Sequence, residues 1–293
     1  MTMNDSGDLL HVLYRGPLAS CNYDCFYCPF AKHRSDADEL RRDREALASF
    51  SSWATTAPRS LAVLITPWGE GLIRRWYQEA LVILSHAPNV RKIAIQTNLS
   101  CDIDFLENAS RAHVGLWCTF HPTEARLETF LGRCEKLLEL GISFSIGIVG
   151  LRENRPWAER LRRHLPEDVY VWVNAYKSEG PDYYNDEDLV AFESLDPLFP
   201  INNQRHPSRG RACQAGQTAI SVDGDGNVRR CHFVDRILGN LYEQPLEEIL
   251  GGPRPCPNAT CGCHIGYVHL DELGLRSVFG DRLPERVPLD WPA

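Results

Sequence analysis

The 293-residue sequence lacks the features that mark membrane proteins, secreted proteins and binders of polyanions. No apolar run approaches the roughly 20 residues that cross a bilayer, so we expect no membrane span. Residues 1–8 are polar and acidic and do not resemble a signal peptide, so we expect a cytoplasmic protein. The formal net charge of −8 argues against nucleic acids and anionic membrane surfaces as partners.

Cysteine, in contrast, is abundant: the chain has eleven, and they are unevenly placed. In a reducing compartment disulfides are rare, so clustered cysteines favour metal binding. Three cysteines lie within residues 21–28, and five lie in the last third of the chain: Cys213, Cys231, Cys256, Cys261 and Cys263. The scattered cysteines, Cys101, Cys118 and Cys134, are most simply small buried hydrophobic side chains.

The first group is a CxxxCxxC triplet formed by Cys21, Cys25 and Cys28, with Tyr27 directly before the last cysteine. Three thiolates can hold three irons of one iron–sulfur cluster and leave the fourth iron open to a ligand that is not protein. A zinc site favours paired CxxC units and four ligands, and a bacterial ferredoxin loop carries a further cysteine and a proline. The spacing favours a three-legged cluster over both alternatives.

Apolar runs of strand length alternate with amphipathic stretches through about residue 195, with strands predicted at 9–14, 61–66, 92–97, 114–120, 143–149 and 169–175. Strands that are apolar on both faces and separated by helices predict a parallel sheet covered by helices. Six βα units are too few for a closed eight-stranded barrel. We therefore expect an α/β fold in which residues 9–204 form a partial (β/α)6 TIM-like barrel. Residues 205–293 would form a small C-terminal cysteine-rich domain that includes a β-hairpin at 219–231.

The triplet resembles the signature of the radical S-adenosylmethionine (radical SAM) superfamily, CxxxCxΦC, with Tyr27 as the aromatic residue Φ. The resemblance implies a 4Fe–4S cluster whose open iron binds the amino and carboxylate groups of S-adenosylmethionine (AdoMet). One electron from the cluster would cleave AdoMet, and the 5′-deoxyadenosyl radical would abstract a substrate hydrogen. An external one-electron reductant of the flavodoxin or ferredoxin type is an implied partner.

In that family a GGE-like motif after the second strand binds the amino group of the cofactor. Here Gly69 and Glu70 occupy this place, and Trp68 replaces the first glycine. A structural alternative for Glu70 is an acid at a helix N-terminus, where the helix dipole favours negative charge.

Further cofactor contacts are implied at the ends of later strands, where parallel α/β folds gather functional groups. Thr119 or His121, after the fourth strand, would contact the ribose. Ile148, in the fifth strand, would pack on the adenine. Arg152 would pair with the cofactor carboxylate, unless it is a solvated surface arginine.

The segment from Cys213 through Gly226 to Cys231 resembles the Cx(9–15)Gx4C element of radical SAM enzymes with an auxiliary-cluster domain, called SPASM or, when shorter, twitch. A full SPASM domain has seven cysteines for two clusters. This region has five, so the resemblance implies one auxiliary 4Fe–4S cluster. Cys213 and Cys231 are the expected ligands, together with two of Cys256, Cys261 and Cys263. A zinc knuckle, with His232 or His264 as a possible ligand, is the alternative.

Auxiliary-cluster enzymes mostly oxidise or cross-link residues of ribosomally made peptides or proteins, so the resemblance implies a peptide substrate. Only about ten residues precede the first strand, so we expect the C-terminal region or a separate protein to recognise the peptide. A radical dehydrogenase or epimerase of a small molecule is the alternative, and Cys118 would then be the hydrogen-donating thiol. A zinc-binding protein and an electron-transfer protein are the non-enzymatic alternatives.

Overall fold

The computed structural model describes residues 9–30, 33–252 and 254–291. In the N-terminal part, strands alternate with helices. The strands are β1 Leu9–Arg15, β2 Ser60–Ile65, β3 Val90–Thr97, β4 Val114–Phe120, β5 Ser143–Gly150 and β6 Val171–Ala175. The helices are α1 Ala37–Thr56, α2 Arg75–Ser85, α3 Leu127–Leu140, α4 Arg155–His164 and α5 Asp186–Leu195. Short 3-10 turns occupy Asp104–Asn108 and Arg152–Asn154.

The C-terminal part has shorter elements. They are α6 Phe199–Asn202, β7 His206–Pro207, β8 Ala219–Asp223, β9 Asn227–Arg229, β10 Ile237–Asn240, α7 Leu246–Ile249, β11 Thr260–Cys261, α8 His264–Tyr267 and α9 Leu275–Phe279. Short 3-10 turns occupy Asp271–Leu273 and Gly280–Arg282. Among the described residues, no helix combines the length and apolar character that a membrane span requires.

The main sheet has nine strands in the order β10-β9-β8-β1-β2-β3-β4-β5-β6. Strands β1 to β6 are all parallel and follow chain order. The predicted α/β architecture with a partial TIM-like barrel is therefore confirmed. Local signals set several helix ends: Asp36 caps α1 by accepting from the backbone N–H of Glu39, and Gly141 ends α3 with φ of 65°.

The predicted hairpin is present, but it continues the barrel sheet. Strand β8 pairs in parallel with β1, with His11 opposite Ala219, and β9 then returns antiparallel to β8. Strand β9 runs antiparallel to β1, so the pairing alone does not carry Cys231 to the triplet. The link is Arg15 at the end of β1, whose guanidinium lies 2.9 Å from Nε2 of His232, the residue after Cys231.

The two faces of the sheet pack differently. One face forms the main core with the helices, and Cys118 belongs to it. The other face carries Trp117 and Trp172, and the C-terminal tail packs on it through Val287. A buried ion pair of 3.0 Å between Lys92 and Glu285 helps hold the tail there. Since side chains alternate along a strand, neighbouring residues of β4 and β5 face opposite environments.

Candidate functional site

The three thiols of the triplet line one cavity of about 200 Å³ at the carboxyl edge of the parallel strands. The sheet brings residues from three other strand ends to the same cavity. They are the predicted Gly69, Glu70, Thr119 and His121, together with Asn98. This is the edge at which parallel α/β folds collect functional groups. Residues separated by about a hundred positions in the sequence thus share one site.

Cys25 is held at this cavity by neighbours from its own loop and from β4. Its Sγ lies 3.4 Å from Nδ1 of His121, and the hydroxyl of Tyr27 lies 2.8 Å from the same nitrogen. Burial lowers the pKa of His121 to about 4, so the imidazole is neutral at pH 7. Burial, and then the thiol of Cys25, raise the pKa of Tyr27, so its hydroxyl keeps its proton and is hydrogen-bonded to His121.

Two N–H groups that can donate to a thiolate lie near the sulfur of Cys21. The backbone N–H of Tyr23 lies 3.4 Å from its Sγ, and Nδ2 of Asn98 lies 3.8 Å away. Hydrogen bonds to sulfur are among the protein's means of tuning a bound cluster. Within the described residues, no three Cys, His, Asp or Glu side chains lie close enough to bind a single metal ion. In a cluster each cysteine ligates a different iron, and three thiols on one open cavity with N–H donors fit that arrangement.

Glu70 is buried and fully hydrogen-bonded in the same cavity. It accepts from the hydroxyl of Thr97 at 2.8 Å and from the backbone N–H groups of Asn98 at 2.6 Å and Leu72 at 3.0 Å. Burial raises its pKa to about 7. Helix α2 starts only at Arg75, with no acid in its first turn, so Glu70 is not a helix-terminal acid.

Gly69 is required by a close approach of two backbone segments. A Cβ at this position would lie 1.8 Å from the carbonyl oxygen of Ser20. The N–H of Glu70 donates to that same oxygen at 3.2 Å. Gly69 therefore lets the loop after β2 pack directly against the residue that precedes Cys21.

Three expected site residues lie elsewhere. Ile148 is fully buried in the helix-facing core, so it does not face the cavity. Because side chains alternate along a strand, Gly147 and Val149 lie on the face of the sheet opposite to Ile148. Arg152 bonds Asp188 through Nε at 2.7 Å, so the expected pairing with a cofactor carboxylate does not match its position. Cys118 is fully buried in the core and does not line the cavity, so its burial does not match a hydrogen donor there.

Arg15 was not anticipated, although it connects the two cysteine regions. Its guanidinium donates to the backbone oxygen of Thr66 at 2.8 Å, lies 2.9 Å from Nε2 of His232, and covers the ring of Trp68 at 4.2 Å. Trp68 also packs on His232, with ring centroids 5.1 Å apart. Trp68, which replaces the first glycine of the GGE-like motif, was the one feature of the sequence that pointed to this contact between Arg15, Trp68 and His232.

The C-terminal cysteines gather around a second cavity, which is lined by Lys177 from the loop after β6 and by Cys231, Cys256, Cys261 and Cys263. Burial raises the pKa of Cys231 to about 11, and the thiols of Cys213 and Cys256 add to this shift. Burial raises the pKa of Cys261 to about 12, and the thiols of Cys231, Cys263 and Cys256 add to this shift. The five C-terminal thiols therefore lie close enough to affect one another's pKa.

The two histidines next to these cysteines differ: Arg15 engages His232, whereas Nε2 of His264 has no hydrogen-bond partner among the described residues. The Nε2 atom of His232 lies 2.9 Å from Arg15, and burial followed by that charge lowers its pKa to about 4. His264 is buried and packs edge-on against Trp117, with ring centroids 5.4 Å apart.

Comparison with known proteins agrees with this geometry. Residues 213–258 match the family model SPASM, described as an iron-sulfur cluster-binding domain. A search of curated proteins gave no match. The solved structure of anSMEcpe with bound AdoMet shares the fold, with a TM-score of 0.54 and 16% identity over 82% of this chain and 80% of that chain. SuiB of Streptococcus suis, bound to its precursor peptide SuiA, has a TM-score of 0.56 and 13% identity over 84% and 66% of the two chains.

These likenesses establish the fold and the C-terminal domain. The matched segment contains Cys213, Cys231 and Cys256, and it ends before Cys261 and Cys263. The chain therefore shares the fold of these AdoMet-bound and peptide-bound structures, and its residues 213–258 match the SPASM iron-sulfur cluster-binding domain.

Proposed function

We propose that this protein is a radical SAM enzyme that oxidises or cross-links a residue of a ribosomally made peptide or protein. The observation that carries the proposal is the shared cavity in which the thiols of Cys21, Cys25 and Cys28 meet Glu70. The peptide part is supported by two proteins of the same fold, SuiB bound to a precursor peptide and anSMEcpe bound to AdoMet and a peptide.

A 4Fe–4S cluster held by the triplet would supply the electron that cleaves AdoMet. Glu70, in its ionised form, would accept hydrogen bonds from the amino group of AdoMet. Thr119, which lines the same cavity, would hydrogen-bond the ribose. Tyr27 and His121 hold Cys25 in place, and Asn98 both donates to Cys21 and orients Glu70.

The auxiliary cluster is ligated by Cys213, Cys231, Cys256 and Cys261 in this proposal. Cys213, Cys231 and Cys256 lie in the segment that matches the SPASM model. Cys261 is taken as the fourth ligand because it is less exposed than Cys263, which lines the same cavity. An oxidation must remove a second electron from the substrate, and the auxiliary cluster is the acceptor that the chain itself provides.

The test is anaerobic purification and reconstitution with iron and sulfide, followed by dithionite and AdoMet. We expect 5′-deoxyadenosine from the wild type and none from Cys28→Ala. Cys101→Ala is the control, because Cys101 does not line either cysteine cavity. A protein that retains only zinc and forms no 5′-deoxyadenosine would refute the proposal.

A small-molecule epimerase is the second candidate, favoured by the exposed thiol of Cys263 on the second cavity. An epimerase returns a hydrogen to the substrate from a thiol, whereas an oxidase or cross-linking enzyme does not. Turnover in D2O separates the two, since thiol hydrogens exchange with solvent. Deuterium in the product would favour epimerisation, and a product two hydrogens lighter would favour oxidation.

A further inference from the structure

Three neighbouring strands carry a row of polar side chains at their carboxyl ends. The register of β1, β2 and β3 places Arg15, Thr66 and Gln96 side by side. Leu64 and Ala94, two residues before Thr66 and Gln96, pack on the face of the sheet that the C-terminal tail covers. Because side chains alternate along a strand, the row lies on this same face, which we call the inner face.

Chemistry fixes the direction of the hydrogen bonds along the row. Nη2 of Arg15 lies 2.9 Å from Oγ1 of Thr66, and a guanidinium can only donate, so the hydroxyl oxygen accepts. The hydrogen of that hydroxyl is left for the carboxamide of Gln96, which is its other partner. Only the oxygen of a carboxamide can accept, so Oε1 of Gln96 faces Thr66.

This direction leaves the amide nitrogen of Gln96 with two N–H groups to donate. Among the described residues, the bond from Thr66 is the only hydrogen bond of the Gln96 side chain. Gln96 is partly exposed and lines the cavity that holds the triplet thiols. The row therefore presents an oriented hydrogen-bond donor to the occupant of this cavity.

Arg15 is held so firmly that the direction cannot reverse. Its Nε donates to the backbone oxygen of Thr66 at 2.8 Å, and its Nη1 lies 2.9 Å from Nε2 of His232. All three nitrogens of the guanidinium thus have partners, and the group also covers the ring of Trp68 at 4.2 Å. Since His232 follows Cys231 in the chain, the row runs from the triplet cavity toward the auxiliary cysteines.

The other walls of the cavity indicate the kind of group that Gln96 would meet. Trp68 and Phe30 supply apolar surface, with ring centroids 4.7 Å apart. Glu70 lines the same cavity, and its carboxylate disfavours a bound anion. A neutral carbonyl oxygen with an apolar side chain beside it satisfies both conditions, and a peptide backbone offers this combination at every apolar residue.

We propose that Gln96 donates a hydrogen bond to a backbone carbonyl oxygen of the peptide substrate, and that Arg15 and Thr66 are positioning residues that fix its amide. Thr97, the next residue of β3, bonds Glu70 from the opposite face of the strand. Gln96 thus enters the cavity on a different side from the carboxylate proposed to bind AdoMet. The inference rests on the proposed function for the identity of the substrate as a peptide.

Binding of a model amide tests the assignment without AdoMet cleavage, so it can fail or succeed independently of the proposed reaction. Reconstituted protein with AdoMet and no reductant is titrated with N-acetylphenylalanine methylamide, and saturation-transfer NMR gives the dissociation constant. In Gln96→Leu we expect binding to weaken about fivefold, the effect of one net hydrogen bond. Gln96→Glu keeps an acceptor for Thr66 but loses both N–H groups, so it should weaken binding at least as much. It decides the question if Gln96→Leu does not fold.

Variants of Thr66 test the positioning role. Thr66→Val keeps the shape of the side chain but frees the amide of Gln96 to turn its oxygen into the cavity about half of the time, so binding should weaken about twofold. Thr66→Ser retains the hydroxyl and should bind as the wild type does. In the Gln96→Leu background, Thr66→Val should have no further effect, whereas a general loss of structure would add to the first change.

Gln204→Leu is the matched control, because Gln204 is exposed and lines neither cysteine cavity. Equal affinity of the wild type and Gln96→Leu for the model amide, or no binding to the wild type, would overturn the proposal. The affinity for AdoMet, measured by calorimetry, should be unchanged in Gln96→Leu. A fivefold loss of AdoMet affinity with intact amide binding would assign Gln96 to the cofactor carboxylate and overturn its assignment to the substrate.

Discussion

The hydroxyl of Tyr27 lies 2.8 Å from Nδ1 of His121, so the aromatic residue of the cysteine motif is tied to the end of strand β4. The same nitrogen lies 3.4 Å from the thiol of Cys25. One histidine therefore couples a cluster cysteine to the wall of the cavity.

Removing this hydroxyl should loosen the cysteine loop. We expect Tyr27→Phe to lower the free energy of unfolding by about 1 kcal/mol, because the buried imidazole of His121 loses its hydrogen bond to the hydroxyl. Urea unfolding of the metal-free protein measures this change. Tyr242→Phe, at a side chain 42% exposed, is the control and should change stability by less than about 0.5 kcal/mol.

The pKa of Glu70, raised to about 7 by burial, predicts a pH dependence of AdoMet binding. The ionised carboxylate is the form that accepts from the amino group, so affinity should be low in acid and rise as the pH increases through about 7. Below pH 7 the change should approach tenfold per pH unit. The difference in AdoMet affinity between wild type and Glu70→Gln isolates the contribution of the Glu70 carboxylate, because the amino group of AdoMet titrates with both proteins. Parallel curves in calorimetric titrations from pH 6 to 8 would contradict the assignment.

Gly69→Ala should be severely destabilising. The added methyl group would lie 1.8 Å from the backbone oxygen of Ser20, so one of the two loops must move. We expect a loss of more than about 2 kcal/mol in chemical unfolding. Gly132→Ala is the matched control: Gly132 lies within α3 with nothing within 4 Å of its Cβ position, so alanine should stabilise by about 0.5–1 kcal/mol.

Iron content separates the ligands of the auxiliary cluster. Reconstituted wild type should bind about eight irons per chain, in two 4Fe–4S clusters. Cys261→Ala should retain about four, and Cys263→Ala should keep about eight, because Cys261, the less exposed of the two, is the proposed fourth ligand. A drop to about four irons in Cys263→Ala would assign the fourth ligand to Cys263 and exclude the free thiol.

Much of the fold could be predicted because its signals are local. The run of apolar residues set β4 at Val114–Phe120 with the predicted bounds. Helix α3 begins only at Leu127, because the N–H groups of Glu124 and Ala125 first donate to the carbonyl of His121 in a separate turn. Such a turn depends on backbone geometry that apolar spacing does not record.

The side-chain directions could not be predicted in the same way. A run that is apolar throughout, such as residues 146–149, has no alternation to show which member faces the helices. Packing decided that Ile148 is in the core, and the nearby acid Asp188 decided the partner of Arg152. Both outcomes depend on contacts across the sheet or between helices.

The sequence by itself determined the cysteine triplet, the hairpin motif and the order of strands and helices, because each depends on residues close together in the chain. Only the tertiary structure decided that β8 pairs with β1 and that Arg15, at the end of β1, reaches His232 beside Cys231. It also decided that Tyr27 of the cysteine motif meets His121 after β4. These relationships join residues that are far apart in sequence, and long-range strand pairing and burial, which no local pattern encodes, place them together.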